Sequence, residues 1–205
     1  MSIFSILGLV ELLGFLFGLC YILLAYRQSN YSWCFGILSA ACIIYVDLNK
    51  TLLYFDAILH LFFLMMSGIG LYLWSQGADA KKVIRMSRMS WLNYAGYIVI
   101  SILIAGAAGF LFDQQTGAAY PYLDAFQMML SIFATFLIIY CVIDAWSYWI
   151  IVDLISITLY CLTDAYWLAL LYVVYLLSNA LKWREWRRQY SLRRTLTPHK
   201  MRTES

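Results

Sequence analysis

Trp146, Trp149, Asp153, Ser156 and Tyr160 follow one another at intervals of three and four residues, which places them on one face of a helix. That face would carry two large π surfaces, a carboxylate, a hydroxyl and a phenol. Aromatic faces attract cations by ~0.5–2 kcal/mol per contact, and a carboxylate supplies the balancing charge. A flat, positively charged heteroaromatic ligand would suit such a surface. The structural alternative is a packed aromatic seam in which Asp153 is hydrogen-bonded to a neighbour. Three other stretches carry comparable mixtures: Asp56, His60, Ser67 and Trp74, with Gly68 and Gly70 alongside; Asp124, Gln127 and Ser131; and Tyr172, Tyr175 and Asn179. His60 could couple a proton or hydrogen-bond a ligand. Polar groups between helices can also simply hold a bundle together, but four such faces in one short chain point to a central cavity.

Catalysis has little to draw on. There are two histidines, His60 and His199, and no HExxH, GxSxG or P-loop pattern, so neither a histidine metal centre nor ATP-driven chemistry is expected. No enzyme activity, metal or cofactor is expected, and no nucleic-acid partner.

The elements that must position these faces are membrane spans. The chain is 64% hydrophobic and 12% charged over 205 residues, against roughly 45–50% and ~25% in soluble domains. That is too little charge to cover a water-facing surface, and the class is an all-α integral membrane protein. A bilayer core takes about 20 apolar residues per helix. Seven stretches qualify: Ile3–Tyr26, Trp33–Leu48, Leu52–Trp74, Leu92–Phe112, Leu123–Ile143, Tyr148–Thr163 and Ala165–Trp183. The second and sixth are short. Met1–Ser2–Ile3 offers no positively charged leader, so the first span is expected to be retained.

Of fourteen Lys and Arg residues, seven spans put all but Lys50 on one side. By the positive-inside rule the amino terminus is outside and the carboxyl terminus cytoplasmic. The basic stretch Trp183–Arg194 reads as a membrane-surface anchor within a cytoplasmic tail, residues 184–205. Cys20, Cys34, Cys42, Cys141 and Cys161 lie in spans without CxxC spacing and read as small packing residues. Between Arg88 and Lys182 there is no basic residue, yet Asp113, Asp124, Asp144, Asp153 and Asp164 fall there. Asp153 lies in mid-span, where a carboxylate is costly and usually faces the bundle interior. Lys50 or Arg27 could reach it through space.

The two ends of the chain echo each other. Glu11 stands as far before Trp33 as Asp124 stands before Trp146. Each tryptophan leads into a short span holding a tyrosine (Tyr45, Tyr160), and each half closes on Gly70–Trp74 or Asn179–Trp183. Spans one and five run the same way, so the echo predicts a 3+1+3 arrangement of two parallel three-helix repeats, about 3–74 and about 121–183. A linking helix, about 92–112, joins them within a single domain, 1–183. Parallel repeats are one of the transporter layouts.

At Trp33–Trp74 (WCFGILSA…LYFDAILHLFFLMMSGIGLYLW) and Pro121–Trp183 (PYLDAFQMMLSIFATF…WSYWIIVDLISITLY…LLYVVYLLSNALKW), the chain resembles the Pnu family of vitamin transporters, whose founding member carries nicotinamide riboside. Trp146 and Trp149 match the family's WxxW feature, and Asp124, Ser131, Tyr160, Gly70, Trp74 and Trp183 match as well. The resemblance implies a SWEET-like fold, a homotrimer, a bacterial inner-membrane location and facilitated diffusion, with a cytoplasmic kinase trapping the vitamin. It departs from riboside carriers at His60, Ser67 and Asp153, where amides stand in those relatives, and at Cys141–Asp144, which lacks the usual basic pair. An unpaired anion and missing amides favour a cationic vitamin, with thiamine ahead of nicotinamide riboside. A proton-coupled carrier using Asp153 or His60 and a receptor that binds without transport are further readings. The expected substrate-binding set is Trp146, Trp149, Asp153, Ser156, Tyr160, His60, Ser67, Asp124, Gln127 and Asn179.

Overall fold

The computed structural model describes residues 3–27, 29, 31–75, 88, 90–140 and 142–200, with seven α-helices among them. They are α1 (Ile3–Tyr26), α2 (Tyr31–Val46), α3 (Tyr54–Ser75), α4 (Trp91–Gln115), α5 (Pro121–Ile139), α6 (Ala145–Leu162) and α7 (Tyr166–Lys200). Stretches Ile6–Ala25, Tyr31–Thr51, Trp91–Gln115, Pro121–Ile138 and Ala145–Leu162 are each long and apolar enough to cross a bilayer, and Tyr54–Ile69 is a shorter apolar helix. Large apolar side chains point outward along them, including Leu9, Leu16 and Leu23 on α1 and Val99, Ile102, Leu103 and Phe110 on α4. In water such surfaces would drive aggregation. Lipid solvates them, and the helical backbone satisfies its own polar groups.

The expected spans overlap the seven helices one for one, with several edges displaced. A π-helical turn, Asp47–Thr51, prolongs α2, so the second span is longer than its apolar run. α5 stops at Ile139 rather than Ile143, because the chain turns through Val142–Asp144. α6 then begins early enough to take Trp146 into its first turn. α7 continues without interruption past Trp183 to Lys200, so the basic stretch is a helical extension.

Helix ends are set by local chemistry. Ser90 caps α4, its hydroxyl accepting Asn93 N–H at 3.3 Å, and Pro121 occupies the first turn of α5, where its missing N–H costs nothing. Two helices are capped from afar. Both oxygens of Asp124 on α5 accept from the start of α3, Phe55 N–H and Asp56 N–H each at 2.9 Å. Glu11 on α1 accepts Trp167 N–H of α7 at 2.7 Å and binds Lys50. Lys50 in turn donates to the Asp164 carbonyl at 2.8 Å.

The principal packing pairs are α1 with α2, α2 with α3, α3 with α5, α5 with α6, α6 with α7 and α7 with α1. These six close into a ring. α4 packs on the outside of α5, where Gly109 lets it approach: a Cβ there would stand 2.8 Å from Tyr122 Cα. The ring's apolar core draws Ile43 and Val46 from α2, Leu159 and Tyr160 from α6, and Leu168 and Leu171 from α7. A second cluster, built on Leu130, Ala134, Tyr148 and Val152, joins α5 to α6.

Candidate functional site

The α6 face predicted from spacing turns inward. Asp153 and Ser156 are buried at 1% and 0% exposure, and Tyr160 at 0%. Neither Lys50 nor Arg27 serves as the partner of Asp153: Asn179 on α7 donates Nδ2–H to its Oδ2 at 2.7 Å, while Lys50 is held by Glu11 and the Asp164 carbonyl. The carboxylate is therefore anchored by an amide, which orients it without cancelling its charge. Ser156 returns its hydroxyl to the Val152 carbonyl at 3.0 Å, leaving only lone pairs to offer a ligand.

Both indoles lie partly buried at the same end of α6. The Trp149 ring packs against Phe63 of α3, centroids 6.0 Å apart, and Trp146 meets Trp186 of α7 edge-on at 5.3 Å. Their ring N–H groups are enclosed and have no hydrogen-bond partner among the described residues, and the same holds for Gln127 Oε1. An unsatisfied buried polar group costs about 1–3 kcal/mol, so the two indole N–H groups on α6 and the Gln127 oxygen on α5 are a reason to expect a ligand, or water, with complementary groups.

The second half of the constellation sits where α3, α5, α6 and α7 meet. Gln127 Nε2–H donates to Asp56 Oδ1 at 2.6 Å, and the Tyr160 hydroxyl contacts both Asp56 Oδ2 and Asp47 Oδ1. His60 is buried at 5% exposure. Its Nδ1 lies 3.0 Å from the Asp56 carbonyl, and Tyr172 Oη stands 3.4 Å from its Nε2. His60 and Trp149 share a neighbour in Phe63, which meets the imidazole edge-on at 5.9 Å. The indole end and the carboxylate end thus adjoin.

Two residues of the expected set are placed differently from the rest. Asp124 has no free carboxylate oxygen, because both are engaged as the cap of α3. Ser67 lies where α3 passes α2, with its hydroxyl 3.2 Å from the place a Gly36 Cβ would occupy. Ser131, buried at 0% exposure, donates to the Gln127 carbonyl at 2.8 Å, the same bond back along its helix that Ser156 makes. A Cβ built at Gly68, beside Ser67 on α3, would meet nothing within 4 Å. The side chains of Gly70, Trp74 and Cys141 lie outside the described residues.

Asp47 escaped the sequence reading because it follows an apolar run and directly precedes a turn, where a carboxylate usually meets water. Its full burial at 0% comes from the π-helical turn that winds it back inside. Phe63 and Trp186 were ordinary aromatic residues until their partners were known. An apolar crevice of about 270 Å³ beside Ile44, Leu48, Ile58 and Phe112 lacks polar groups to orient a vitamin and lies apart from this constellation.

A ring of lipid-facing helices around buried carboxylates, amides and indoles is the build of a multi-pass membrane transport protein. Comparison with known proteins agrees with it. The family model described as nicotinamide mononucleotide transporter matches residues 8–188. The nicotinamide riboside transporters PnuC of Escherichia coli (strain K12) and Shigella flexneri are each 25% identical over 195 residues, covering 82% of this chain and 80% of the relative. The crystal structure of the vitamin B3 transporter PnuC superposes with a TM-score of 0.62 at 21% identity, covering 90% of this chain and 81% of that one. The chain belongs to the nicotinamide mononucleotide transporter family. It is a transporter and not an enzyme.

Proposed function

We propose that this protein carries nicotinamide riboside, or a closely related pyridinium vitamin, across a bacterial inner membrane. The observation that carries the reading is the inward α6 face, on which a carboxylate at 1% exposure stands four residues from a tryptophan whose ring N–H lacks a partner among the described residues. A pyridinium ring is flat and cationic, so it would stack on Trp149 with Trp146 beside it, and Asp153 would balance its charge. Thiamine, ahead on sequence grounds, is also a flat cation, so charge alone does not prefer it. The amides whose absence counted against the riboside are supplied from other helices. Gln127 offers a free Oε1 that could accept a carboxamide N–H, and Asn179 holds Asp153. The names of the two bacterial relatives point to the same substrate.

His60 and Tyr160 would close the far end of the pocket. The near-repeat of α1–α3 in α5–α7 supports two parallel halves rocking about the substrate, with α4 as the linker. A trimer, an outside amino terminus and a cytoplasmic kinase that traps the vitamin complete the model. Radiolabelled nicotinamide riboside exchanged against unlabelled substrate in proteoliposomes tests it. Counterflow is expected, and saturable binding with no exchange would make the protein a receptor instead.

A further inference from the structure

Gln127 is buried at 1% exposure, and the two ends of its amide stand in different company. Nε2–H donates to Asp56 Oδ1 at 2.6 Å, whereas Oε1 has no hydrogen-bond partner among the described residues. The amide ends have nearly the same shape and opposite hydrogen-bonding roles, so a neighbour decides which way the group faces. Here the neighbour is a carboxyl oxygen. Turning the amide over would set Oε1 against Asp56 Oδ1, lone pair against lone pair in a medium of low dielectric.

Asp56 is itself held on every side. Its Oδ2 meets the Tyr160 hydroxyl and lies 3.4 Å from His60 Nδ1, and its backbone N–H is capped by Asp124 at 2.9 Å. The carboxyl group therefore cannot swing away to admit the other amide orientation. Gln127 is left offering an acceptor. The groups on the α6 face offer acceptors as well, since Ser156 spends its hydrogen on the Val152 carbonyl and Asp153 is a carboxylate.

Two routes lead from the Asp56–Gln127 pair to the indoles. On α3, His60 meets Phe63 edge-on, and Phe63 packs on Trp149. On α5, Leu130 follows Gln127 by three residues, about 4.5 Å of helix, and Trp149 packs against the cluster to which Leu130 belongs. Gln127 thus adjoins the place where a ring would stack on Trp149.

We infer that Gln127 Oε1 takes an N–H from the substituent on the pyridinium ring, and that Asp56 is the positioning residue that makes the site select a primary carboxamide over a ketone or carboxylate of the same outline. This selectivity rests on the proposed carriage of a pyridinium riboside. A carboxamide brings a hydrogen to Oε1. A methyl ketone brings none, and a carboxylate brings lone pairs and negative charge, so each leaves the buried oxygen unpaired. Asp153 would then recognise the charge of the ring, and the Asp56–Gln127 pair its side group.

Equilibrium binding of three pyridinium ribosides to the purified protein tests this, with a carboxamide, an acetyl or a carboxylate group at the ring's 3-position. The acetyl compound keeps the cation and the carbonyl and lacks only the N–H. The parent protein should bind the carboxamide about tenfold more tightly than the acetyl compound, and the carboxylate more weakly still. Equal affinity for the first two would overturn the inference. In Asp56→Asn the new carbonyl oxygen should stay opposite Tyr160 and His60, its Nδ2–H should turn to Gln127 Oε1, and Gln127 should present Nε2–H to the ligand. The acetyl and carboxylate compounds should then gain affinity, bringing the carboxamide preference near parity, whereas mere loss of structure would weaken all three alike. An unchanged preference, or a uniform loss, would overturn the role of Asp56. Should Asp56→Asn fail to fold, Gln127→Met removes the acceptor at similar length and should likewise abolish the preference; its retention would overturn the role of Gln127. Failure of all three ribosides to bind the parent protein would instead overturn the transport reading, and this selectivity with it.

Discussion

Glu11 and Asp124 stand in the same relation to the helices they cap. Each is a carboxylate that accepts a backbone N–H three residues after a left-handed residue: Trp167 N–H follows Asp164 (φ 58°), and Phe55 N–H follows Leu52 (φ 54°). A non-glycine residue in that region is strained, and the cap fixes the turn that demands it. Each carboxylate joins two helices that are neighbours in the ring, α1 to α7 and α5 to α3, so the two caps hold the seams at which α1–α3 meet α5–α7.

Asp124→Ala should therefore lower stability by about 2 kcal/mol or more, since it strands two buried N–H donors that cost ~1–3 kcal/mol each. Glu11→Ala should cost less, since it strands one N–H, that of Trp167, and takes the carboxylate from Lys50 while leaving it the Asp164 carbonyl. Thermal unfolding in detergent is the measurement. An unchanged midpoint for Asp124→Ala, paired with lost vitamin binding, would return this residue to the pocket.

The number of helices and the inward face of α6 were legible in the sequence because both follow from period and length: apolar runs near bilayer thickness, and polar residues three and four apart. The partners of those residues were not, since a sequence carries no distances between helices. Asp153 looked unpaired because its neighbours in the chain are apolar, yet Asn179 on α7 reaches it. Asp124 looked like a pocket residue because a carboxylate just inside a span resembles a ligand-binding one. Only the position of the α3 amino terminus shows that both its oxygens are occupied. The parallel between Glu11 and Asp124 was visible as spacing, and its meaning emerged with the caps.

Close packing of α4 on α5 should be sensitive at one glycine and insensitive at another. Gly109→Ala would set a Cβ 2.8 Å from Tyr122 Cα, a backbone atom that cannot rotate away, whereas a Cβ at Gly106 meets nothing within 4 Å. Overpacking of this kind costs about 1–3 kcal/mol. Gly109→Ala should unfold at a lower temperature than the parent protein, and Gly106→Ala should match the parent.

Trp149→Ala should weaken binding of nicotinamide riboside by on the order of tenfold, the equivalent of ~1.4 kcal/mol, within the range of one desolvated cation–π contact. Equilibrium binding to purified protein checks this, with size-exclusion elution recorded alongside. A change in assembly state with binding retained would mean that the Phe63–Trp149 contact is a packing seam.

Asp153→Asn separates charge from shape. The substitution keeps the size of the side chain and a carbonyl oxygen that can still accept from Asn179, so the fold should persist. What it removes is the anion. A buried carboxylate near the ring would favour the oxidised pyridinium riboside over its reduced dihydropyridine form, which has nearly the same outline and no ring charge. The parent protein should bind the oxidised form more tightly, and Asp153→Asn should lose about tenfold for that form while changing little for the reduced one. Equal losses for both would assign Asp153 to the α6–α7 contact and leave the indole faces to recognise the ring without a counter-charge.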